Sequence, residues 1–169
     1  HDKGAMAASF FWNSGEVITT HEYLKSKNVK SYGLKICTLG SYNNWLMVPG
    51  YNADGDIRTI NYIKGDGTKL FETGAEKKGT YFELPGDDEK IIICEGYSTG
   101  ATIRQATGHT VIVSFDAGNL FHVAKVIREK YPETEIIIAS DNDQYKPDIG
   151  NVGVNVATNS AIEIDAKLA

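Results

Sequence analysis

Residues 90–100, KIIICEGYSTG, and residues 135–143, EIIIASDND, share one pattern: a short run of β-branched apolar residues that ends in carboxylates. Continuous apolar runs, in contrast to alternating ones, predict parallel strands that are covered on both faces. In open α/β sheets, ligands bind beyond the carboxyl ends of such strands. We therefore expect Glu95, Asp141 and Asp143 to surround one small volume, as the ligands of a metal-dependent active site would.

Composition limits the class of protein. The chain has 169 residues, of which 41% are hydrophobic and 23% are charged, as in a soluble globular domain with or without a smaller companion. No apolar run approaches the roughly 20 residues that a membrane helix needs, and no secretory signal is visible. The net charge of −5 excludes a basic protein that wraps nucleic acid. Any contact with nucleic acid must therefore be local, bridged by metal, or made by regions outside this chain.

The two cysteines, Cys37 and Cys94, do not have the spacing of metal ligands, and no disulfide framework is indicated. Cys94 ends an apolar strand, where a buried free thiol is expected. We therefore expect a cytoplasmic protein.

The N-terminal half predicts a mostly-β subdomain over residues 7–86. Residues 1–6, HDKGAM, resemble an expression remnant and are left out of this prediction. Residues 19–27 predict a short helix that Thr19 or Thr20 caps. Asp-Gly pairs at 54–55 and 66–67 predict tight hairpin turns, because glycine adopts positive φ without steric cost. Between residues 30 and 86 we thus expect an antiparallel meander, with strands at 34–39, 45–51, 57–64, 69–73 and 80–84.

After the Pro-Gly-Asp-Asp segment at 85–88, strands alternate with helices. This alternation predicts βαβ units with right-handed crossovers and a parallel sheet flanked by helices. The fold class is thus α/β, with a domain boundary between residues 86 and 87. The expected strands are 90–94, 110–115 and 135–140, and the expected helices are 98–107, 118–131 and 152–167.

The combination of acidic motifs carries more weight than its parts. A solvated acid at the end of a strand explains Glu95 alone, and Asx-rich turns explain Asp141 and Asp143 alone. Carboxylates at alternating positions can point in the same direction, as oxygen ligands of Mg²⁺ should. A strand followed by Glu-Gly, one βα unit, and a strand followed by Asp-x-Asp is a rarer arrangement.

The sequence IIICEGYSTGATIRQATG, followed by VIVSFDAGN and IIIASDND, resembles a Toprim domain, the catalytic core of bacterial-type primases and several topoisomerases. The resemblance is strongest to the Toprim primases of phages and plasmids, which are often fused to helicases. The upstream segment MVPGYNADGDIRTINYIKGDGTKLFETGAEKKGTYFEL also resembles the region that precedes Toprim in those primases.

The resemblance implies a DNA primase that makes primers on single-stranded DNA from nucleoside triphosphates, with Mg²⁺ or Mn²⁺ and a helicase as partner. Glu95 would act as the general acid or base, and it would bind metal together with Asp141 and Asp143. Family members often have an acid where this chain has Thr99, and many carry a further acidic motif beyond the third helix. We therefore expect that this segment alone could bind metal weakly and lack activity.

Other residues are candidates with a second interpretation. Asp116 follows the second strand and can belong to the site, although capping of the next helix is the expected role. Lys146 is a candidate phosphate contact in the loop 144–151. Basic residues with interleaved aromatics (Tyr62, Phe71 and Tyr81) predict a template-binding sheet or else a solvated hairpin; they are Arg58, Lys64, Lys69, Lys77 and Lys78. Trp45 and the aromatic residues at 10–12 are expected in the core or at an interface, and not as platforms for bases.

Two rival functions stay open. One is phosphodiester cleavage, as in Toprim nucleases and topoisomerases, although no tyrosine has a recognisable catalytic context. The other is a non-catalytic Toprim scaffold that binds DNA or a partner protein, which Thr99 favours. A dinucleotide-binding Rossmann domain is disfavoured, because no Gly-x-Gly-x-x-Gly follows the first strand.

Overall fold

The N-terminal half forms the predicted antiparallel meander. In the computed structural model, which describes residues 2–141 and 152–169, each strand pairs antiparallel with the next. The turns at Gly55 and Gly67 have φ of +85° and +92°, as the Asp-Gly signals predict. The strands are β1 (Glu16–Val17), β2 (Lys35–Ile36), β3 (Leu46–Tyr51), β4 (Ile57–Ile63) and β5 (Lys69–Phe71).

Helix α1 (Asp2–Ser14) packs against this sheet. Its Ala8 lies in an apolar cluster with Met47, Ile60 and other buried residues, against which Phe11, Trp12 and Trp45 pack. Phe10 differs from the prediction for a core residue, because it is 58% exposed on the outer side of the helix. Most of segment 1–6 belongs to this helix. Gly4 is buried, and a Cβ there would lie 2.4 Å from the backbone nitrogen of Ala75. The segment therefore takes part in the packing, and its origin as an expression remnant stays a prediction.

Helix α2 (Glu22–Lys27) is shorter than the predicted helix over 19–27. The predicted cap was wrong, because His21 occupies the N-cap position and its Nδ1 accepts a hydrogen bond of 3.2 Å from the backbone N–H of Tyr23. An imidazole nitrogen can accept this bond as a hydroxyl oxygen does. The buried side chains of Tyr23 and Leu24 anchor the helix.

The C-terminal half is the predicted parallel sheet flanked by helices, which confirms the expected fold class. The elements are β6 (Phe82–Leu84), β7 (Asp87–Cys94), α3 (Tyr97–Thr107), β8 (His109–Val113), α4 (Ala117–Lys130), β9 (Glu135–Ile138), α5 (Val152–Ile164) and β10 (Lys167–Leu168). The strand order is β10-β9-β7-β8-β6, and β7 pairs parallel with both β8 and β9. The apolar runs provide the buried residues at the centre of the sheet.

The end of the meander differs from its prediction. Segment 80–84 is not one strand of the first sheet: Tyr81 makes an isolated antiparallel bridge with Tyr51, and β6 belongs to the second sheet. The chain accordingly divides into compact units of residues 1–82 and 83–169, whereas the sequence predicted the boundary at 86/87.

The C-terminus also differs, because α5 stops at Ile164 and is followed by β10. Asp165 adopts the left-handed conformation at φ +52°, and the N–H of Ala166 donates to the carbonyl of Ala161 at 2.8 Å. This is the geometry that ends many helices. Lys167 and Leu168 then pair parallel with β9. No helix among the described residues is both long and apolar enough to cross a membrane.

Arg128 joins the ends of α4 and α5. Its Nε donates to the carbonyl of Ile164 at 2.8 Å, and its Nη2 donates to the carbonyl of Asp165 at 2.9 Å. Its Nη1 donates to the carbonyls of Tyr131, Pro132 and Thr134. Carbonyls at helix C-termini have no partner within the helix, so one guanidinium satisfies several of them at once.

Gly100 allows α3 to lie close to the sheet. A Cβ at this position would come within 2.9 Å of Val113 Cγ2 and 3.0 Å of Cys94 Sγ. These distances are well inside the optimal separation of about 3.5–4.0 Å between non-bonded carbon atoms. Both neighbours are fully buried, so neither has free space into which it can move.

We predict that Gly100→Ala destabilises the protein by about 1–2 kcal/mol. Overpacking of a core costs about 1–3 kcal/mol, and the gain in helix propensity recovers about 1 kcal/mol or less. Gly118→Ala in α4 is the matched control, because that glycine is exposed and its added Cβ would lie 3.4 Å from the nearest atom. Urea unfolding measures both, and equal stability for the two variants would contradict the packing account.

Candidate active site

Glu95 and Asp141 emerge at the same edge of the second sheet. Glu95 directly follows β7, and Asp141 comes three residues after β9 ends. Ile93 pairs with Ile138 in parallel register, and the N–H of Ala139 donates to the carbonyl of Ile93 at 2.9 Å. Because the strands are parallel, their carboxyl ends meet and both acids lie beyond that end.

The strand order places this pair at a topological switch point. The chain moves from β7 to β8 on one side, and then returns past β7 to β9 on the other side. Right-handed connections put α3, which follows β7, and α4, which leads into β9, on opposite faces of the sheet. Ligands of open α/β sheets bind in the crevice at such a switch point. Glu95 and Asp141 therefore lie at the edge where a ligand of this sheet is expected.

The Cys94 thiol is buried at the end of β7, directly before Glu95. Burial, followed by the charges of Asp141 and Glu95, raises the pKa of this thiol well above its usual range. The cysteine is fully buried and free, as predicted, so it is an inert thiol.

Glu95 and Asp141 supply the kind of donor that a divalent cation takes. Carboxylate oxygens are the ligands that Mg²⁺ and Mn²⁺ prefer, and Oε1 of Glu95 is buried from solvent. The residues present therefore fit the metal that the sequence led us to expect.

Asp116 lies at the same edge and caps α4. Its carboxylate accepts a 3.0 Å hydrogen bond from the backbone N–H of Asn119, which is the capping role that the sequence favoured. Thr99 lies in the first turn of α3, where there is no acid. The two remaining site candidates of this edge, Asp143 and Lys146, lie outside the described residues.

Sequence analysis missed three residues beside this edge: Ser114, Phe115 and Asn119. Ser114 and Asn119 are buried polar residues, with 0% and 2% of their surfaces exposed. Phe115 adopts the left-handed conformation at φ +77°, which is rare for a bulky residue. The residue types of the segment SFDAGN do not predict these features, because neither a backbone angle nor a buried hydrogen bond can be seen in residue types.

The basic candidates of the meander are not gathered in one patch. Arg58 lies 3.7 Å from the Asp2 carboxylate and 3.8 Å from that of Glu76, so opposite charges offset its own. The Lys64 ammonium lies 5.9 Å from the ring centroid of Trp45, whereas that of Lys69 lies 5.9 Å from the ring centroid of Tyr23. Lys77 is half-buried and Lys78 is exposed, in the segment after β5.

The interleaved aromatic residues do not form an exposed stacking surface. Tyr62 is fully buried and Tyr81 is 5% exposed. The Tyr62 ring stacks on that of Tyr42 at a centroid distance of 4.0 Å, and its hydroxyl donates to Glu72 at 2.6 Å. Burial and that hydrogen bond raise the pKa of Tyr62. Phe71 is half-buried, and the Lys77 ammonium lies 5.0 Å from its ring centroid.

A second group of possible metal ligands lies at the opposite ends of the strands. Asp87, Glu89 and His109 offer ligand atoms within 4.8 Å of one another at the amino ends of β7 and β8. The His109 ring nitrogen lies 2.6 Å from the Asp87 carboxylate. A cavity of about 680 Å³, lined by Arg128, Glu135 and neighbouring residues, also lies at the amino end of the sheet. Neither feature involves Glu95 or Asp141.

Comparison with known proteins agrees with the fold. Residues 90–167 match a model of the Toprim domain family. They form a Toprim domain. Two proteins named DNA primase TraC, both from Escherichia coli, are 39% and 38% identical to this chain over 102 and 103 residues. The matches cover 57% and 58% of this chain but only 10% and 7% of those proteins, and they confirm the resemblance to plasmid-type primases.

Two solved structures share the fold of this chain at low sequence identity. The primase fragment of the bacteriophage T7 primase-helicase protein has a TM-score of 0.64 at 14% identity, and the match covers 92% of this chain and 65% of that one. The DnaG primase catalytic domain bound to ssDNA has a TM-score of 0.63 at 11% identity, covering 98% of this chain and 70% of that one. At such identities the likeness concerns the fold.

The pair of Asp87 and His109, at the amino ends of β7 and β8, predicts a pH dependence of stability. The hydrogen bond from His109 lowers the pKa of Asp87, so the pair stabilises the fold above the unfolded carboxyl pKa of about 4. That stabilisation is lost as pH falls through the lower folded pKa. We expect Asp87→Asn to be less stable than the wild type at pH 6, with a difference that shrinks towards pH 2.

Urea unfolding from pH 6 to 2, in the presence of a chelator, measures this difference. Asp54→Asn, in an exposed turn, is the control. A difference between wild type and Asp87→Asn that stays constant over the whole range would contradict the role of the pair.

Proposed function

We propose that this Toprim domain is the nucleotidyl-transfer centre of a DNA primase, which makes primers on a single-stranded DNA template from nucleoside triphosphates. The observation that carries the proposal is the position of Glu95 and Asp141 beyond the carboxyl ends of two adjacent parallel strands, at the switch point of the sheet. The relatives named DNA primase TraC and the primase folds support the same activity. A helicase partner and a cytoplasmic location belong to this proposal.

In this proposal, Asp141 holds a divalent cation together with Asp143 and Glu95. When bound, Mg²⁺ or Mn²⁺ neutralises the charge that develops on the transferred phosphoryl group. Glu95 has a second task, which is to accept or return the proton of the attacking hydroxyl. Its place at a rigid strand end, with one oxygen buried, suits a general acid or base because it limits rotation of the side chain.

The template contacts are the least defined part of the proposal. Lys64, Lys69 and Lys78 are exposed and available to phosphates, and Lys77 and Lys146 remain candidates. Arg58 would first have to leave its acidic partners. The buried tyrosines Tyr62 and Tyr81 cannot stack on bases. We therefore propose that the lysines contact phosphates of the template and do not recognise its bases.

One rival function is supported by a specific observation. The first turn of α3 has Thr99 at the position where family members often carry an acid, and it contains no other acid. A Toprim scaffold that binds DNA or a partner protein without catalysis needs no metal. Metal binding therefore separates the two functions.

For the metal, we predict that Asp141→Asn lowers the affinity for Mn²⁺ by roughly 10–100-fold or more. Mutation of a residue that only hydrogen-bonds to a metal ligand already costs about this much affinity, so loss of a ligand should cost no less. Asp165→Asn is a matched control, because Asp165 is exposed and asparagine also tolerates its left-handed conformation. Calorimetry with Mn²⁺ measures both variants. Equal affinity for the wild type and Asp141→Asn would exclude Asp141 as a ligand, and a wild type without Mn²⁺ affinity would favour the scaffold.

For catalysis, we predict that Glu95→Gln lowers primer synthesis roughly 10²–10⁴-fold, the usual contribution of a positioned acid or base. The assay uses the longest natural form of the protein that contains this chain, with single-stranded templates. Affinity for the template should hardly change, because phosphate contacts belong to cationic side chains. Glu129→Gln, at an exposed position near the end of α4, is the control. Near-wild-type synthesis by Glu95→Gln would remove Glu95 from the mechanism.

A further inference from the structure

Ser114 holds the peptide group from which Glu95 projects. Its backbone N–H donates to the carbonyl of Cys94 at 2.9 Å, and its hydroxyl donates to the same oxygen at 3.0 Å, which is the nearer of its two acceptors; the other is the carbonyl of Asp116 at 3.4 Å. That carbonyl belongs to the peptide that joins Cys94 to Glu95. Two hydrogen bonds from one buried residue therefore fix the plane of this peptide, and with it the direction in which the Glu95 side chain leaves β7.

Asn119 holds Ser114 in turn. Its side-chain amide donates to the carbonyl of Ser114 at 2.9 Å, while its backbone N–H donates to the carboxylate of Asp116 at 3.0 Å. Ser114 and Asn119 are almost completely buried. A continuous chain of hydrogen bonds thus runs from the first turn of α4, across the end of β8, to the peptide before Glu95.

The backbone between these anchors is strained. Phe115, at φ +77°, lies between Ser114 and the helix cap Asp116. A left-handed conformation is unfavourable for a residue other than glycine and persists only where the surrounding structure enforces it. Asn119 makes hydrogen bonds on both sides of Phe115, to Ser114 and to Asp116, so it is a residue that can enforce this conformation. Structure that is maintained against strain next to a candidate active site suggests a functional purpose.

We propose that Ser114 and Asn119 are positioning residues for the nucleotidyl-transfer reaction: they orient Glu95 through the Cys94 carbonyl. This inference rests on the proposed function, and it deepens that function by adding two residues that touch neither substrate nor metal. Reacting groups must be held within a fraction of an ångström, so loss of an anchor should affect turnover more than binding.

The test is Ser114→Ala, with Ser160→Ala as a matched control. Ser160 is also fully buried, and its hydroxyl donates to a carbonyl at 2.8 Å, but it lies in α5. Each variant loses one buried hydrogen bond to a backbone carbonyl, so similar decreases in melting temperature are expected. Only Ser114→Ala should lower kcat for primer synthesis, by roughly tenfold or more, with template affinity unchanged.

A double-mutant cycle tests the chain of contacts. Asn119→Ala should lower kcat as Ser114→Ala does, and the double variant should lose much less than the product of the two effects, because both residues act on one peptide group. The proposal is overturned if Ser114→Ala and Ser160→Ala both keep wild-type kcat, or if the Ser114 and Asn119 effects multiply independently.

The failure of the proposed function gives a different result. If the wild type makes no primers but binds Mn²⁺, primer synthesis is wrong, and the positioning of Glu95 is then judged by Mn²⁺ affinity. Ser114→Ala should lower that affinity several-fold and Ser160→Ala should not; equal affinities would overturn the inference. A wild type that neither makes primers nor binds Mn²⁺ would overturn both.

Discussion

The parallel pairing of β7 with both β8 and β9 is the constraint on which the C-terminal unit depends. Ile93 pairs with Ile112 on one side and with Ile138 on the other, so three strands end at nearly the same level. Parallel strands require crossover connections, and here each crossover is a helix that covers one face. The carboxyl ends of all three strands are therefore left open at one edge. Everything assigned to the candidate site follows from this single geometry.

Close packing and backbone hydrogen bonds stabilise the arrangement at its two ends. At the carboxyl end, Gly100 lets α3 approach β7 and β8, and Ser114 ties the ends of those strands together. Away from that end, Arg128 satisfies the carbonyls at the C-termini of α4 and α5. Both are contacts to backbone or buried core atoms, which are sensitive to small changes in position. The rigidity that a positioned carboxylate needs is thus a property of the whole sheet.

Acidic residues occur at both ends of this sheet, and the two groups differ in their burial and in their hydrogen bonds. The amino-end pair of Asp87 and His109 is exposed or half-buried and has one strong internal hydrogen bond. Glu95 and Asp141 are instead half-buried at the carboxyl end, where their charges, after burial itself, raise the pKa of the Cys94 thiol. Partly desolvated carboxylates at a switch point have a binding function more often than solvated acids at a strand start. This contrast is why the proposed function rests on the carboxyl end.

The sequence by itself determined the parallel sheet, the antiparallel meander and the edge at which Glu95 and Asp141 lie, because apolar periodicity and Asp-Gly turns depend on neighbouring residues. It even predicted the helix cap at Asp116. It failed where distant contacts compete with local preference: β10 replaces the end of a predicted helix, and segment 80–84 is divided. Only the tertiary structure decided that Tyr62 is buried, that Phe115 has a positive φ, and that Ser114 holds the peptide before Glu95. Each of these depends on residues that are far apart in the chain and meet only when the sheet has formed.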